Sequence, residues 1–520
     1  MLTPRKYQTD ILNTCKEKNC LVVLPTGTGK TLIALMLARE RINKYPESKI
    51  LFLAPTRPLA EQHLEYFKKN LSIGYDCVLF TGKVHSDERK KLWQNNNIIF
   101  STPQCVSNDL RNSLYNLKDV SLLIEDEAHR CIKNYDYTYV AQKYKEQAVN
   151  AHIIGLTASP GYDKSTIKEI CNNLGVEAVE VRTRQSDDVK RYLQKLEFET
   201  IEVDFPNEFE AVRNPLKELF NRKIEELKNR KLLFAPATKK NLLDLQQNIM
   251  RRITTGERNF NYLAGASACA TAIKLQHALE LLETQTLQSL NNYIQDLFKQ
   301  ASSKKSRAVQ QLIKNKEFNQ AYTLLIELLA SKKEHPKLAK IKELVEQEIN
   351  ENKKSKIIVF SQYRDSVTRI CKELNTINGI IARVFVGQAK KGLGKDATGL
   401  SQREQKELLN EFALGKINLI VSTSIGEEGL DLPEVNAVIF YDNVPSEIRK
   451  IQRSGRTARL KPGKLFILIT KGTRDASYYW AAFHKERKMQ GILKNLNKDF
   501  ENENSDKKQL DLDNFTNSIG

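Results

Sequence analysis

The chain is short of paired cysteines: eight are scattered through 520 residues and no two form a CxxC pair. That excludes a zinc ribbon or a disulfide framework and points to a reducing, intracellular setting. No apolar run reaches membrane-spanning length, and the opening "MLTPRKYQTD" is too polar for a secretion signal. Acidic residues are in deficit, 63 against 82 Lys and Arg, for a net charge of +19. A basic surface favours polyanions, of which nucleic acid is the commonest large one; a protein basic only for solubility is the competing account. At 520 residues one core does not suffice, and about three domains are expected.

Apolar runs of strand length alternate with helical stretches up to about Pro160: "CLVVL" (20–24), "ILFLA" (50–54), "IIFS" (98–101), "LLIE" (122–125) and "IIGLT" (153–157). Near-continuous apolar strands of this kind predict a parallel sheet covered on both faces. The pattern returns after 355 in "KIIVFS", "IARVFV", "NLIVST", "AVIFY" and "KLFILIT". Between the two units proline is missing from 237 to 335, and Leu275, Ala278, Leu279 and Leu282 recur at helical spacing. The reading is α/β domains at 1–200 and 351–490, an all-helical insert at 201–350, and a flexible polar tail at 491–520. The insert carries 24 basic and 18 acidic residues, close to its share of the charge by length.

"LVVLPTGTGKT" sets a glycine loop between a strand and a helix. Its first position is Leu24 rather than the glycine of a strict GxxxxGK[ST] loop, but the remainder, Thr26, Gly27, Thr28, Gly29, Lys30 and Thr31, suits a nucleotide. Gly27 and Gly29 let backbone N–H groups face a phosphate, Lys30 reaches the terminal phosphates, and Thr31 holds Mg²⁺. A glycine turn that merely caps a helix is the alternative. "SLLIEDEAHR" ends a strand in carboxylates, where parallel sheets carry their ligands. Asp126 is expected to bind Mg²⁺ and Glu127 to orient and deprotonate the attacking water. In "APTRPLAEQ" and "STPQ", hydroxyls at strand ends suit phosphodiester oxygens, though either could be an ordinary turn. In "GLTASP", Thr157 and Ser159, grouped with His129, are expected to couple the two functions.

"VSTSIGEEGLDLPEV" turns after a strand of the second unit, and Gly429 and Asp431 are assigned to the nucleotide side. "IQRSGRTARL" then spaces Arg453, Arg456 and Arg459 three apart, roughly one face of a helical turn. This unit has no phosphate loop of its own. The anion expected for Arg456 and Arg459 is the phosphate held by Lys30 across an interdomain cleft, with Gln452 hydrogen-bonding the same phosphate or the water. A basic surface helix bound directly to nucleic acid is the competing account, most plausible for Arg453.

PTGTGKT, DEAH, LTASP, IGEEGLD and QRSGRTAR, in this order, resemble superfamily 2 helicases. "DEAHRCIKNYDYTYVAQKYK", "LQHALELLETQ", "VGQAKK…GLSQREQKELLNEF" and "KGTRDASYYW" resemble the archaeal Hef helicases, relatives of Fanconi anaemia M-type and Mph1-type fork remodelers. The resemblance spans about 1–495 and implies two RecA-like domains around a thumb-like insert that helps recognise branched DNA. It implies adenine-side roles for Arg5, Tyr7 and Gln8, and nucleic-acid backbone contacts for Thr56, Arg57, Thr102, Ser361 and Thr423. Ala458 departs from the family's usual glycine, a change expected to be tolerated within a helix.

Hef proteins continue into a nuclease with an ERKxxxD motif. Here "ERKMQGI" (486–492) has Ile492 at the aspartate position, so a motor without nuclease is expected, working with branched DNA and a separate nuclease. Gln509, Leu512 and Phe515 match the spacing of sliding-clamp-binding peptides; an unremarkable disordered end is the alternative. The expectation is a monomeric, cytoplasmic, nucleoid-associated DNA helicase using ATP and Mg²⁺. An RNA-directed ATPase of the same fold and an ATP-switched junction scaffold compete with it.

Overall fold

The computed structural model describes residues 3–71, 75–303, 306–388, 399–426, 432–458 and 462–516, with side chains given up to 495. Two wholly parallel sheets form its frame. The first holds β1 (Cys20–Val23), β2 (Lys49–Leu53), β3 (Cys77–Phe80), β4 (Ile98–Ser101), β5 (Val120–Asp126), β6 (Ile153–Thr157) and β7 (Ala178–Val181), in the order β3-β4-β2-β5-β6-β1-β7. The second joins β8 (Leu196–Val203), β9 (Ile357–Phe360), β10 (Ala382–Phe385), β11 (Leu419–Ser422), β12 (Ala437–Phe440) and β13 (Gly463–Thr470), in the order β10-β11-β9-β12-β13-β8.

The apolar runs become these strands because both faces are buried. In β1, Leu21 and Val23 enter one helix-covered core while Cys20 and Val22 enter the other. The second sheet divides Ile357 and Val359 from Ile358 and Phe360 in the same way.

Among the described residues, six helices between Asn207 and Ala330 form the insert. Leu275, Ala278, Leu279 and Leu282 lie in its main core, with Leu216, Leu290 and Phe318. A smaller core (Leu227, Leu233, Leu242, Cys269) supports an outer tip.

The expected boundaries shift in three places. β8 begins at Leu196 and pairs in parallel with β13, so the first domain ends before 196. The Pro336–Glu351 helix places Leu338, Ile341 and Val345 in the second domain's core, so the insert ends near 335. The tail is helical backbone: one helix runs Arg474–Thr516. It starts against the second domain at Tyr479 and buries Met489 and Leu493 in the first domain's core. Among the described residues no helix is long and apolar enough to cross a membrane.

Candidate functional site

The strand order of the first sheet divides its C-terminal edge. The ends of β5, β6 and β1 are consecutive and carry the DEAH string, Thr157 and the glycine loop. The ends of β3, β4 and β2 carry Thr81–Lys83, Thr102 and Thr56–Arg57. One half therefore gathers the residues expected to meet a nucleotide and the other the hydroxyls and cations expected to meet nucleic acid.

Gly27 and Gly29 lie at φ +77° and +87°, and the Lys30–Lys44 helix starts directly after them. A Cβ on Gly29 would stand 2.3 Å from Gln8 Nε2, so the loop closes only around glycine. Tyr7 donates its hydroxyl to Thr28 O (2.5 Å), Gln8 Nε2 donates to the same oxygen (2.9 Å), and the Arg5 guanidinium lies 4.9 Å from the Tyr192 ring. Tyr7 is fully enclosed, and its hydroxyl is spent on the loop at Thr28, so the adenine-side role expected for it would have to pass through the loop. Lys30 Nζ donates to Leu24 O (2.9 Å) and Pro25 O (3.4 Å).

Asp126 Oδ2 is 2.9 Å from His63 Nε2, both groups buried. Burial alone pushes the Asp126 carboxyl up, but the His63 hydrogen bond and charge, with the Lys30 charge, outweigh it and leave it below its ordinary value. Glu127 adopts a left-handed conformation (φ 53°), a strained geometry that turns the chain out of β5 into the Ala128–Arg130 turn. His129 Nδ1 lies 3.3 Å from Glu127 Oε2 and 3.2 Å from Thr157 Oγ1. Thr157 Oγ1 in turn donates to Ser159 O (3.1 Å), and Ser159 Oγ lies 3.0 Å from Met489 Sδ on the C-terminal helix. The three expected coupling residues thus form one connected chain.

The second domain meets this edge through the Glu447–Ser454 helix. A Cβ on Gly455 would fall 1.7 Å from Thr26 Oγ1, so the two domains touch at the phosphate loop through a glycine. Arg456 follows immediately, and Gln452 is buried one turn earlier. The helix stops at Ser454, which removes the expected common face of the arginines: Arg456 lies in the following turn. Arg453 is fully buried over Phe360 and Phe440 and donates to Asp442 O (3.1 Å), which rules out a surface role for it. Arg459, Gly429 and Asp431 lie outside the described residues, and Gln509, Leu512 and Phe515 lie where only the backbone is described.

The expected backbone contacts divide. Arg57 and Thr102, with Lys83, face Gln388, Ser401 and Arg403 of the second domain across a groove of about 540 Å³. Thr56 is the residue at the start of the Arg57–Asn70 helix. Ser361 and Thr423 do not belong to this surface. Ser361 is buried, with its hydroxyl donated to Gln285 Oε1 and Asp442 Oδ2 (both 3.1 Å), and Thr423 is enclosed beside Phe385. Asp442 also receives Gln285 Nε2 (2.6 Å) and lies 3.5 Å from Arg453, so this cluster fixes the insert to the second domain.

Sequence reasoning missed His63, Lys83, Arg403 and Met489, which no local motif marks. It also missed Glu125, fully buried before the DEAH pair, whose carboxyl burial pushes well up.

The loop, Lys30, Thr31 and the tethered Asp126 form a donor set that fits a nucleotide with a divalent cation.

Family models match three segments: DEAD/DEAH box helicase at 5–167, the ATP-dependent RNA helicase helical bundle at 208–335, and the helicase conserved C-terminal domain at 337–461. The Methanocaldococcus jannaschii protein MJ1505, whose name gives it as an ATP-dependent RNA helicase, is 40% identical over 95% of this chain and 61% of its own. The ATP-dependent DNA helicase mph1 of Sclerotinia sclerotiorum is 31% identical over 91% of this chain and 40% of its own. This chain therefore spans less than two thirds of the length of either relative. The crystal structure of the Pyrococcus furiosus Hef helicase domain is 44% identical, covers 92% of this chain and 98% of that one, and superposes with a TM-score of 0.68. Agreement in sequence, domain order and fold over nearly the whole of that domain places this chain in the Hef helicase family, as an ATP-binding superfamily 2 helicase unit with a helical bundle between its two sheets.

Proposed function

We propose that the chain is an ATP-driven motor that unwinds or branch-migrates forked and four-way DNA in fork repair and recombination. One observation carries the motor: the domain pair that meets at Thr26 and Gly455 also forms the walls of the Arg57–Arg403 groove. Any closing at the phosphate loop therefore moves the groove, which is how hydrolysis displaces a strand. Lys30 and Arg456 would neutralise phosphate charge from opposite domains, Arg459 would join Arg456, and Gln452 would align the leaving phosphate. Glu127, with His129 behind it, would take the proton of the attacking water. Thr31 and Asp126 would hold Mg²⁺, which supplies charge neutralisation at the phosphates when bound.

Preference for a branch is supported by the insert's tip. Between 230 and 263 there are seven Lys and Arg against Asp244 and Glu257, so most of the insert's net charge gathers at one end. Phe234 and Phe260 are 86% and 79% exposed there, with Arg230 5.8 Å from the Phe260 ring. Cations interleaved with exposed rings suit unstacked nucleotides, which occur at a branch and not in a linear duplex.

The test is ATPase and strand displacement across fork, four-way junction, linear duplex DNA and duplex RNA. Lys30→Ala should abolish displacement and leave fork binding intact; surviving displacement would remove Lys30 from its role. Phe234→Ala with Phe260→Ala should weaken fork binding roughly tenfold or more, at about 1–3 kcal/mol per stacked base, and linear duplex binding far less. Equal loss on both substrates would move branch recognition elsewhere. Stimulation by duplex RNA above every DNA would favour the RNA-directed reading that the relative's name suggests.

A further inference from the structure

The Arg57–Asn70 helix touches three working parts at once. Its first residue, Arg57, lines the groove between the domains. One turn on, Glu61 pairs with Lys406 of the second domain (3.0 Å). Less than a turn further, on the buried face, His63 points its Nε2 at Asp126 Oδ2 (2.9 Å). The strands behind this contact, β2 and β5, are hydrogen-bonded neighbours on which the groove half and the phosphate half of the sheet meet.

His63 is held firmly. Its ring packs tilted against Phe52, centroids 4.5 Å apart, and its side chain is about 8% exposed. Among the described residues no group hydrogen-bonds its buried Nδ1, so the ring directs its polarity at Asp126 through Nε2. Filling this space would need only an apolar side chain. Fixing one oxygen of Asp126 needs a donor at that point, and the other oxygen is then presented in one orientation. Asp126 is also fixed from its backbone, whose carbonyl accepts from Tyr137 Oη (2.7 Å).

We propose that His63 is a positioning residue: it carries the placement of the Arg57–Asn70 helix, set by nucleic acid in the groove and by Glu61–Lys406, to the carboxylate expected to hold the cation. A helix of this length moves as a rigid rod, so a shift at Arg57 reaches His63 about 9 Å along the axis, at 1.5 Å per residue. The proposal rests on the motor reading above.

The test compares wild type, His63→Ala and His63→Gln, whose amide N–H reaches a similar point. Mn²⁺ serves as the spin probe. Its affinity for the protein–ADP complex is read by electron paramagnetic resonance with and without fork DNA, beside ATPase and fork affinity. In the wild type, fork DNA should shift Mn²⁺ affinity at least threefold and stimulate kcat. His63→Ala should keep fork affinity within twofold, lose the Mn²⁺ shift and lose at least tenfold of the stimulation; His63→Gln should restore both. An Ala variant with the full shift and full stimulation overturns the relay and leaves the motor standing. A wild type that no DNA stimulates overturns both. If His63→Ala melts early, the Nε2 resonance of ¹⁵N-histidine-labelled wild type decides: it should move on adding fork DNA, and an unmoved resonance overturns the relay.

Discussion

Ala458 is buried at φ +55°, between Arg456 and Arg459. The sequence suggests a helical alanine here, but the helix ends at Ser454, and Thr457 is pinned instead by donating Oγ1 to Val435 O (2.7 Å). A left-handed alanine costs about 1–2 kcal/mol. Glycine would relieve that, yet it forfeits a buried methyl worth about 0.8 kcal/mol and gains freedom in the unfolded chain. Ala458→Gly should therefore change stability by less than about 1 kcal/mol. Ala458→Val, β-branched in an enclosed left-handed site, should lose more than about 2 kcal/mol. Urea denaturation checks both, and a valine variant as stable as glycine would mean the backbone is not left-handed here. At this scale legibility follows exposure to chemistry. The placement of Lys30 after the glycine loop and of Asp126 at a strand end is readable because a glycine loop and a strand-end acid have few other uses. Ser361 and Arg453 are not, because a hydroxyl or guanidinium spent on Asp442 looks in sequence like one offered to a ligand.

Among the elements, the Pro336–Glu351 helix joins insert to second domain, and its first turn holds a pH-dependent contact. His335 caps it, Nδ1 accepting from Lys337 N (3.3 Å), Nε2 near Glu283 O (3.3 Å), ring against Phe209. Complete burial, then the neighbouring Lys337 charge, push its pKa down to about 3, against the weaker pull of the Glu283 carbonyl. The unfolded imidazole takes its proton near pH 6.5, whereas the folded one stays neutral. Stability is thus fully present above about 6.5 and is lost as pH falls toward about 3. The loss is about 1.4 kcal/mol per pH unit, so roughly 2 kcal/mol at pH 5. His335→Asn keeps a capping acceptor and removes the titration. Relative to wild type it should gain about 2 kcal/mol between pH 7 and pH 5 in denaturant midpoints; parallel curves would show that the histidine is not held neutral. The apolar strands and the insert's helical period were legible because burial on two faces, or on one stripe, writes itself into composition. β8 was not: "LEFETIEV" is a charged edge strand, mostly exposed, and its partner β13 lies more than 260 residues later.

Across the whole molecule, the Arg474–Thr516 helix does what no local motif announces: its first half, from Ala476 to Leu493, packs on both domains in turn. Ala476 and Tyr479 pack on the second core, Glu486 pairs with Lys450 (2.9 Å), and Met489 and Leu493 enter the first core. Between them lies a cavity of about 410 Å³, walled by Thr26, Gly455 and the Arg182–Ser186 connection. Because Met489 also meets Ser159, the helix touches both domains and the His129–Thr157–Ser159 chain expected to couple them. Leu493 is 1% exposed, so Leu493→Asp forfeits about 2 kcal/mol of burial and adds the cost of a carboxylate in an apolar site. At 1.4 kcal/mol per tenfold, docking of the helix on the first domain should weaken by at least about thirtyfold. Fluorophores on Lys91→Cys and Lys416→Cys, both exposed and one in each domain, read the result. The parent protein should give one narrow distance without nucleotide. The Leu493→Asp protein should give a broader and longer distribution that ATP narrows only in part, with a raised KM for ATP because Gly455 no longer rests on Thr26. An unchanged distribution would mean that the Gly455–Thr26 seat and the Glu61–Lys406 pair hold the domains together without the helix.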